Sequence, residues 1–60
     1  MSVKVETYET RNDAMYKIGQ DEDLYAKQIF MAADINADDD GHVWAISDSS
    51  GHIFLENERK

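Results

Sequence analysis

Two similar stretches hold the residues of this sequence that are best suited to chemistry. The first reads DDDGHVW from Asp38, and the second reads DSSGHIF from Asp48, ten residues later. Each places Asp, Gly and His in the same order, Asp-x-x-Gly-His, followed by a β-branched residue and an aromatic residue. Carboxylates and imidazoles serve as metal ligands and as acid–base groups, so metal binding and hydrolysis are the chemistry that these stretches could support.

The segment NADDDGHV matches part of a calcium-binding loop. Four residues fit the first, third, fifth and sixth positions of an EF-hand loop: Asn36, Asp38, Asp40 and Gly41. The match fails where Ser47 occupies the position of the bidentate Glu, and the flanking segments alternate like strands instead of helices. Solvated turn carboxylates are favoured, and a calcium-binding turn that also uses the carbonyl of His42 is kept as an alternative function.

The histidines and serines do not predict a catalytic site. His42 and His52 begin consecutive antiparallel strands in this interpretation, which places them at opposite ends of the sheet, about 17 Å apart. The serines beside Asp48 are typical turn residues, and so small a domain has little room for a pocket that excludes water. We therefore expect no catalytic residues, no bound metal, no cofactor and no enzymatic activity.

Acidic residues occur in three clusters that are separated by neutral or apolar sequence. The clusters are Asp21, Glu22 and Asp23; Asp38, Asp39 and Asp40; and Glu56 with Glu58. On a rigid domain, such carboxylates would imitate nucleic-acid phosphates and occupy the basic groove of a nucleic-acid-binding protein. These residues form the predicted partner-binding surface.

The charge balance agrees with a basic protein partner. The 60 residues include 13 acidic and 6 basic side chains, giving a formal net charge of −7. This charge repels nucleic acid and anionic membranes, so direct binding to either is not expected. The predicted function is a small inhibitor or nucleic-acid mimic, of the kind that phages make against host enzymes. The alternative is a structural subunit whose acidity serves only solubility.

Composition also predicts where the protein works and whether it associates. There is no Cys, no apolar run near the roughly 18 residues of a membrane span, and a polar beginning that does not look like a signal peptide. We therefore expect a cytoplasmic protein without a membrane segment. A core of this size is small enough that self-association would supplement it, and a homodimer is expected.

The first half of the sequence predicts a strand and then a helix. Residues 3–9 alternate between apolar and polar side chains, as in a half-buried strand. Thr10 is suited to an N-cap, and apolar residues then recur at helical spacing, which predicts a helix over residues 12–25. Gly19 allows an alternative in which the helix breaks there and a second helix begins at Asp21.

The second half predicts a three-stranded meander. Its strands cover residues 27–35, 42–47 and 52–57, with turns at Asp38–Gly41 and Asp48–Gly51. Because residues 29–33 form a continuous apolar run, residues 27–35 could instead extend the helix. Four-residue loops place Ile35 opposite Trp44 and Ile46 opposite Ile53, while three-residue loops with a bulge remain an alternative. The first strand would join beside the second or the fourth through a right-handed crossover.

The predicted register leaves an apolar stripe on the back of the sheet. Phe30, Val43 and Phe54 lie on this face, and they are the predicted self-association surface. The fold prediction is a single domain over residues 1–60 in the α+β class. Its architecture is a small two-layer β-α-β-β-β arrangement, with one helix packed on a mainly antiparallel sheet.

Overall fold

The computed structural model describes residues 3–58 and shows one helix packed on a three-stranded antiparallel sheet. The elements follow one another as β1 (Thr7–Tyr8), α1 (Arg11–Ile18), β2 (Leu24–Phe30) and β3 (His42–Asp48). The helix contacts all three strands. The chain is a small α+β domain, which confirms the fold class predicted from the sequence.

The helix begins at the predicted cap and ends earlier than predicted. The backbone N–H of Asp13 donates to Thr10 Oγ1 at 3.1 Å, which satisfies one of the free donors of the first turn. Gly19 ends the helix with a positive φ of 68°, a conformation that glycine adopts without strain. The predicted extent to residue 25 is wrong. The break at Gly19 is correct, but the element after it is a strand and not a second helix.

The strand after the helix is β2, and it begins and ends earlier than the strand predicted over residues 27–35. Along its first half, half-buried Leu24 and Ala26 alternate with exposed Tyr25 and Lys27. This period-two pattern is that of a strand. The prediction overlaps β2 over residues 27–30, and Ile35 is 87% exposed in the loop that follows.

The central strand of the sheet is β3, in the order β1-β3-β2. Trp44 pairs with Gln28 of β2 on one side and with Tyr8 of β1 on the other. The predicted pairing of Trp44 with Ile35 is therefore wrong, because an 11-residue loop, residues 31–41, separates β2 from β3. A tight hairpin at Asp38–Gly41 does not join these two strands.

The predicted fourth strand is present only as two isolated bridges. Ser47 pairs with Ile53, and Val5 pairs with Leu55, both antiparallel. The first bridge corresponds to the three-residue loop and not to the four-residue loop that paired Ile46 with Ile53. The first strand also needs no crossover, because β1 lies antiparallel beside β3.

The core is centred on β3. Its fully buried side chains include Val43 and Ala45 on one face and Ile46 on the other, and Ala14 of the helix is equally buried. Since successive side chains of a strand point to opposite faces, both faces of β3 are covered. The sheet therefore has no open back face along its central strand, in contrast to the half-exposed sheet that the sequence predicts.

A hydrogen-bond network among Thr7, Asp34 and Asn36 connects the long loop to β1. Thr7 Oγ1 donates to Asp34 Oδ1 at 3.0 Å, and the same carboxylate oxygen accepts from the backbone N–H of Asn36 at 2.8 Å. The side-chain amide of Asn36 donates to the carbonyl oxygen and the hydroxyl oxygen of Thr7 at 3.1 and 3.0 Å. These bonds hold the loop against the first strand.

Candidate functional site

The two Asp-x-x-Gly-His stretches fold into nearly identical turns. In the first, the N–H of Gly41 donates to the carbonyl of Asp38, and the N–H of Asp38 donates to the carbonyl of His42, both at 3.0 Å. The same two bonds recur between Asp48, Gly51 and His52. Both glycines have positive φ, 83° and 91°, as the closing residue of such a turn requires.

Each turn is also held by the side chain of its first aspartate. Asp38 Oδ1 accepts the backbone N–H groups of Asp40 and His42 at 2.9 and 3.0 Å. Asp48 Oδ1 accepts those of Ser50 and His52, both at 3.0 Å, and also the hydroxyl of Ser50 at 2.7 Å. The repeated sequence is therefore explained by turn geometry.

These hydrogen bonds stabilise the ionised carboxylates. The backbone N–H of His42, followed by that of Asp40, lowers the pKa of Asp38 from its ordinary value. The hydroxyl of Ser50, followed by the backbone N–H of His52, lowers the pKa of Asp48. Donors directed at a carboxylate favour its charged form, so both turns carry a fixed negative charge at neutral pH.

Acidic groups surround one end of the sheet, which we call the Asp48 end. Asp21 begins a turn in which its carboxylate accepts the N–H of Asp23 at 3.0 Å, and β2 starts directly after this turn. Leu24, the first residue of β2, pairs with Asp48. The Asp21–Asp23 cluster and the Asp48 turn therefore lie at the same end.

Glu58 joins the Asp48 end through His52. Glu58 Oε1 accepts the backbone N–H of Leu55 at 2.7 Å and lies 2.9 Å from His52 Nε2. The Leu55 N–H, followed by the His52 side chain, lowers the pKa of Glu58. Because His52 pairs with Asp48, these contacts bring Glu58 close to the second turn.

The Asp38–Asp40 cluster lies at the opposite end of the sheet. It directly precedes His42, which pairs with Phe30 at the far end of β2. His42 and Asp48 are six residues apart in β3, which corresponds to about 20 Å at 3.3 Å per residue. The structure thus divides the predicted acidic array between two ends and does not join its clusters.

The predicted self-association stripe is not a continuous surface. Val43 has no exposed surface, whereas Phe30 is 67% exposed and Phe54 is half-buried. Ile29, and not Phe30, pairs with Val43, so Phe30 and Val43 lie on opposite faces of the sheet. The prediction that Val43 contributes a surface residue is wrong, because the observed register turns it into the core.

Asn36 and Asp38, two of the residues considered for calcium binding, take part in structural hydrogen bonds. The Nδ2 group of Asn36 donates to Thr7, and the Oδ1 atom of Asp38 accepts two N–H groups of its turn. Within residues 3–58, no three His, Cys, Asp or Glu side chains come together as a set of metal ligands. No observation on these residues favours the calcium alternative.

The serine and histidine side chains near the second turn are also engaged elsewhere. Ser47 is fully buried, and its hydroxyl lies 3.3 Å from the carbonyl of Asp48 and 3.4 Å from the Tyr25 hydroxyl. His52 faces Glu58.

Among the described residues, no helix combines the length and apolarity that a membrane crossing requires.

Sequence reasoning missed the role of Thr7, Asp34 and Asn36. Their hydrogen-bond network joins residues that are 27 and 29 positions apart, and no local motif marks such a contact.

Comparisons with protein-family models, with curated proteins and with solved structures found no match to this chain. The function must therefore be inferred from the surface of the domain.

Proposed function

We propose that this chain is a non-enzymatic interaction module whose carboxylates bind a basic protein surface, such as the nucleic-acid-binding groove of an enzyme. One observation carries the proposal. All the predicted partner-binding side chains are exposed, and most are mounted on hydrogen-bonded turns: Asp21, Glu22, Asp23, Asp38, Asp39, Asp40, Glu56 and Glu58. A charged side chain on a rigid turn loses less conformational entropy on binding than one on a flexible segment.

Two of these clusters present their charges on the surface of the domain. Every carboxylate of the Asp21–Asp23 and Asp38–Asp40 clusters belongs to an exposed residue, and the ion pair between His52 and Glu58 involves neither cluster. Their negative potential is therefore directed at solvent, where it would attract a basic partner and accelerate association.

The spacing of the acidic ends is compatible with a nucleic-acid mimic. The two ends of β3 lie about 20 Å apart, and each strand of DNA carries one phosphate per about 3.4 Å of helix axis. The pair of clusters thus spans about six phosphate steps. A groove that binds a short duplex segment would meet negative charge at both of its ends.

The proposal is tested by capture of a partner on the immobilised chain, with elution by a salt gradient. The expected partner is a basic nucleic-acid-binding protein. Salt should release it because ions screen the attraction between the two proteins, and duplex DNA should displace this chain because it binds the same basic groove. The variant Asp39→Asn/Asp40→Asn should release this partner at a lower salt concentration.

A matched control removes two exposed charges outside the clusters, in the variant Glu9→Gln/Asp13→Asn. This variant has the same net charge as the cluster variant and should elute much closer to the unmodified chain. Equal elution of all three proteins, or capture that salt does not weaken, would contradict the proposal. The acidity would then serve only to solvate a structural subunit.

A further inference from the structure

The outer edge of β2 is an open sheet edge. The sheet order places β2 at the side, paired only with β3. Met31, which follows the strand, donates its backbone N–H to Gly41 on the β3 side. Since backbone groups alternate in direction along a strand, those of Ala26, Gln28 and Phe30 point away from β3. None of these outward groups has a hydrogen-bond partner among residues 3–58.

Exposure along β2 agrees with an uncovered edge. Tyr25 is 45% exposed and Phe30 is 67% exposed, and Lys27 and Gln28 are exposed between them. An open strand of seven residues is a template for another strand, and many proteins shield such an edge with a lysine. Lys27, at the centre of β2, occupies the position of such a lysine.

We propose that a second copy of this chain adds its own β2 to this edge, antiparallel and centred on Lys27, to form one continuous sheet. The proposal does not depend on the proposed function. It replaces the stripe through Val43, which is buried, with an edge that is accessible.

The sequence of β2 is self-complementary in this register. Ala26 and the partner's Gln28 exchange both backbone hydrogen bonds, and the two-fold axis repeats the exchange. Tyr25 faces the partner's Ile29, and Leu24 faces the partner's Phe30, so the apolar side chains pair across the junction. The only unfavourable pair is Lys27 with the partner's Lys27.

The resulting association is weak and reversible. A single strand pair covers a small part of the 4457 Å² surface and remains below the roughly 1,200 Å² of most stable interfaces. Two chains of net charge −7 also repel each other. Salt should therefore strengthen this pairing, whereas it weakens binding to a basic protein, so the two proposals can fail independently.

The test is sedimentation equilibrium up to about 1 mM protein, the range in which weak association is measured. Replacing the central lysine in Lys27→Thr should tighten the dimer about two- to fivefold, since it removes a like-charge pair. The variant Gln28→Pro should weaken it about tenfold, because proline removes one outward N–H from each copy. Ile35→Ser is the control, because it removes an exposed apolar side chain away from the edge.

A second measurement uses the unmodified chain and does not depend on the folding of a variant. Amide hydrogen exchange at Ala26 and Gln28 should slow as the protein concentration rises, while exchange in the loop around Ile35 should not change. A dimer that tolerates Gln28→Pro would overturn the proposal. So would outward amides whose exchange is independent of concentration, or a Lys27→Thr chain that stays monomeric.

Discussion

Gly41 and Gly51 occupy equivalent positions in two matching turns, but their surroundings differ. A Cβ at Gly41 would lie 2.7 Å from Phe30 Cε1 and 3.1 Å from Ala32 Cβ. A Cβ at Gly51 would meet nothing within 4 Å. The backbone conformation disfavours a side chain at both positions, and packing adds a second penalty only at the first.

We expect Gly51→Ala to lower the free energy of unfolding by about 1 kcal/mol, the cost of a side chain at positive φ. Gly41→Ala should cost about 1 kcal/mol more, because the Phe30 ring and Ala32 must also move. Urea denaturation of both variants beside the unmodified chain measures the difference. Equal losses would show that the loop yields freely around Gly41.

Residues with a local role could be identified from the sequence, and residues with a long-range role could not. The cap at Thr10 and the turns at Asp38 and Asp48 depend on hydrogen bonds over two to four residues, which their spacing displays. Val43 is an example of a residue whose role is long-range. Its burial depends on the register of strands that are distant in sequence, so the sequence did not distinguish it from a surface residue.

At the scale of the elements, the turns that begin at Asp38 and Asp48 should make the free energy of unfolding depend on pH. Their carboxylates have a lower pKa folded than unfolded, so their contribution is complete above the unfolded value near pH 4 and is lost as pH falls through the folded values. The free energy of unfolding should therefore decrease from about pH 5 downward. Denaturation at a series of pH values measures this decrease.

The variant Asp38→Asn/Asp48→Asn separates the turns from the other acids. Asparagine keeps a carbonyl oxygen that can accept the N–H groups of the turn, but it does not titrate. The variant should be less stable at neutral pH and should lose less stability on acidification. A parallel acid profile would mean that other carboxylates, such as Glu58, cause the loss.

The element that sequence reasoning placed wrongly is β2. Tyr25 continues the helical spacing of Ile18, and the run from Ile29 to Ala33 is apolar throughout, so both ends of the real strand were hidden. The turn at Asp38–Gly41 then suggested a tight hairpin. The 11-residue loop before β3 is held by the hydrogen-bond network at Thr7, and such a tertiary contact overrides local sequence patterns.

At the scale of the whole molecule, the net charge of −7 opposes folding. The domain measures 30 × 28 × 18 Å, and the Debye length falls from about 30 Å at 0.01 M salt to about 8 Å at 0.15 M. At low salt, every carboxylate therefore interacts with the others across the domain. At physiological salt, only near neighbours interact.

The melting temperature should rise between these two salt concentrations, because screening relieves the repulsion of the folded state. The variant Asp39→Asn/Asp40→Asn, with a net charge of −5 against −7, should show a smaller rise. Calorimetry at low protein concentration keeps self-association from contributing. A melting temperature that does not change with salt would indicate that the separation of the two acidic ends already prevents significant repulsion.

The position of β1 also determines when this protein can fold. Thr7 pairs with Ala45, and Val5 pairs with Leu55, so the first strand waits for partners that are made about 40 to 50 residues later. At about 5 to 20 residues per second, the ribosome delivers those partners seconds after β1. The nascent chain can form α1 before these partners emerge, but it completes its sheet only after they have been made. Folding of such distant contacts is slow compared with that of a helical domain of equal length.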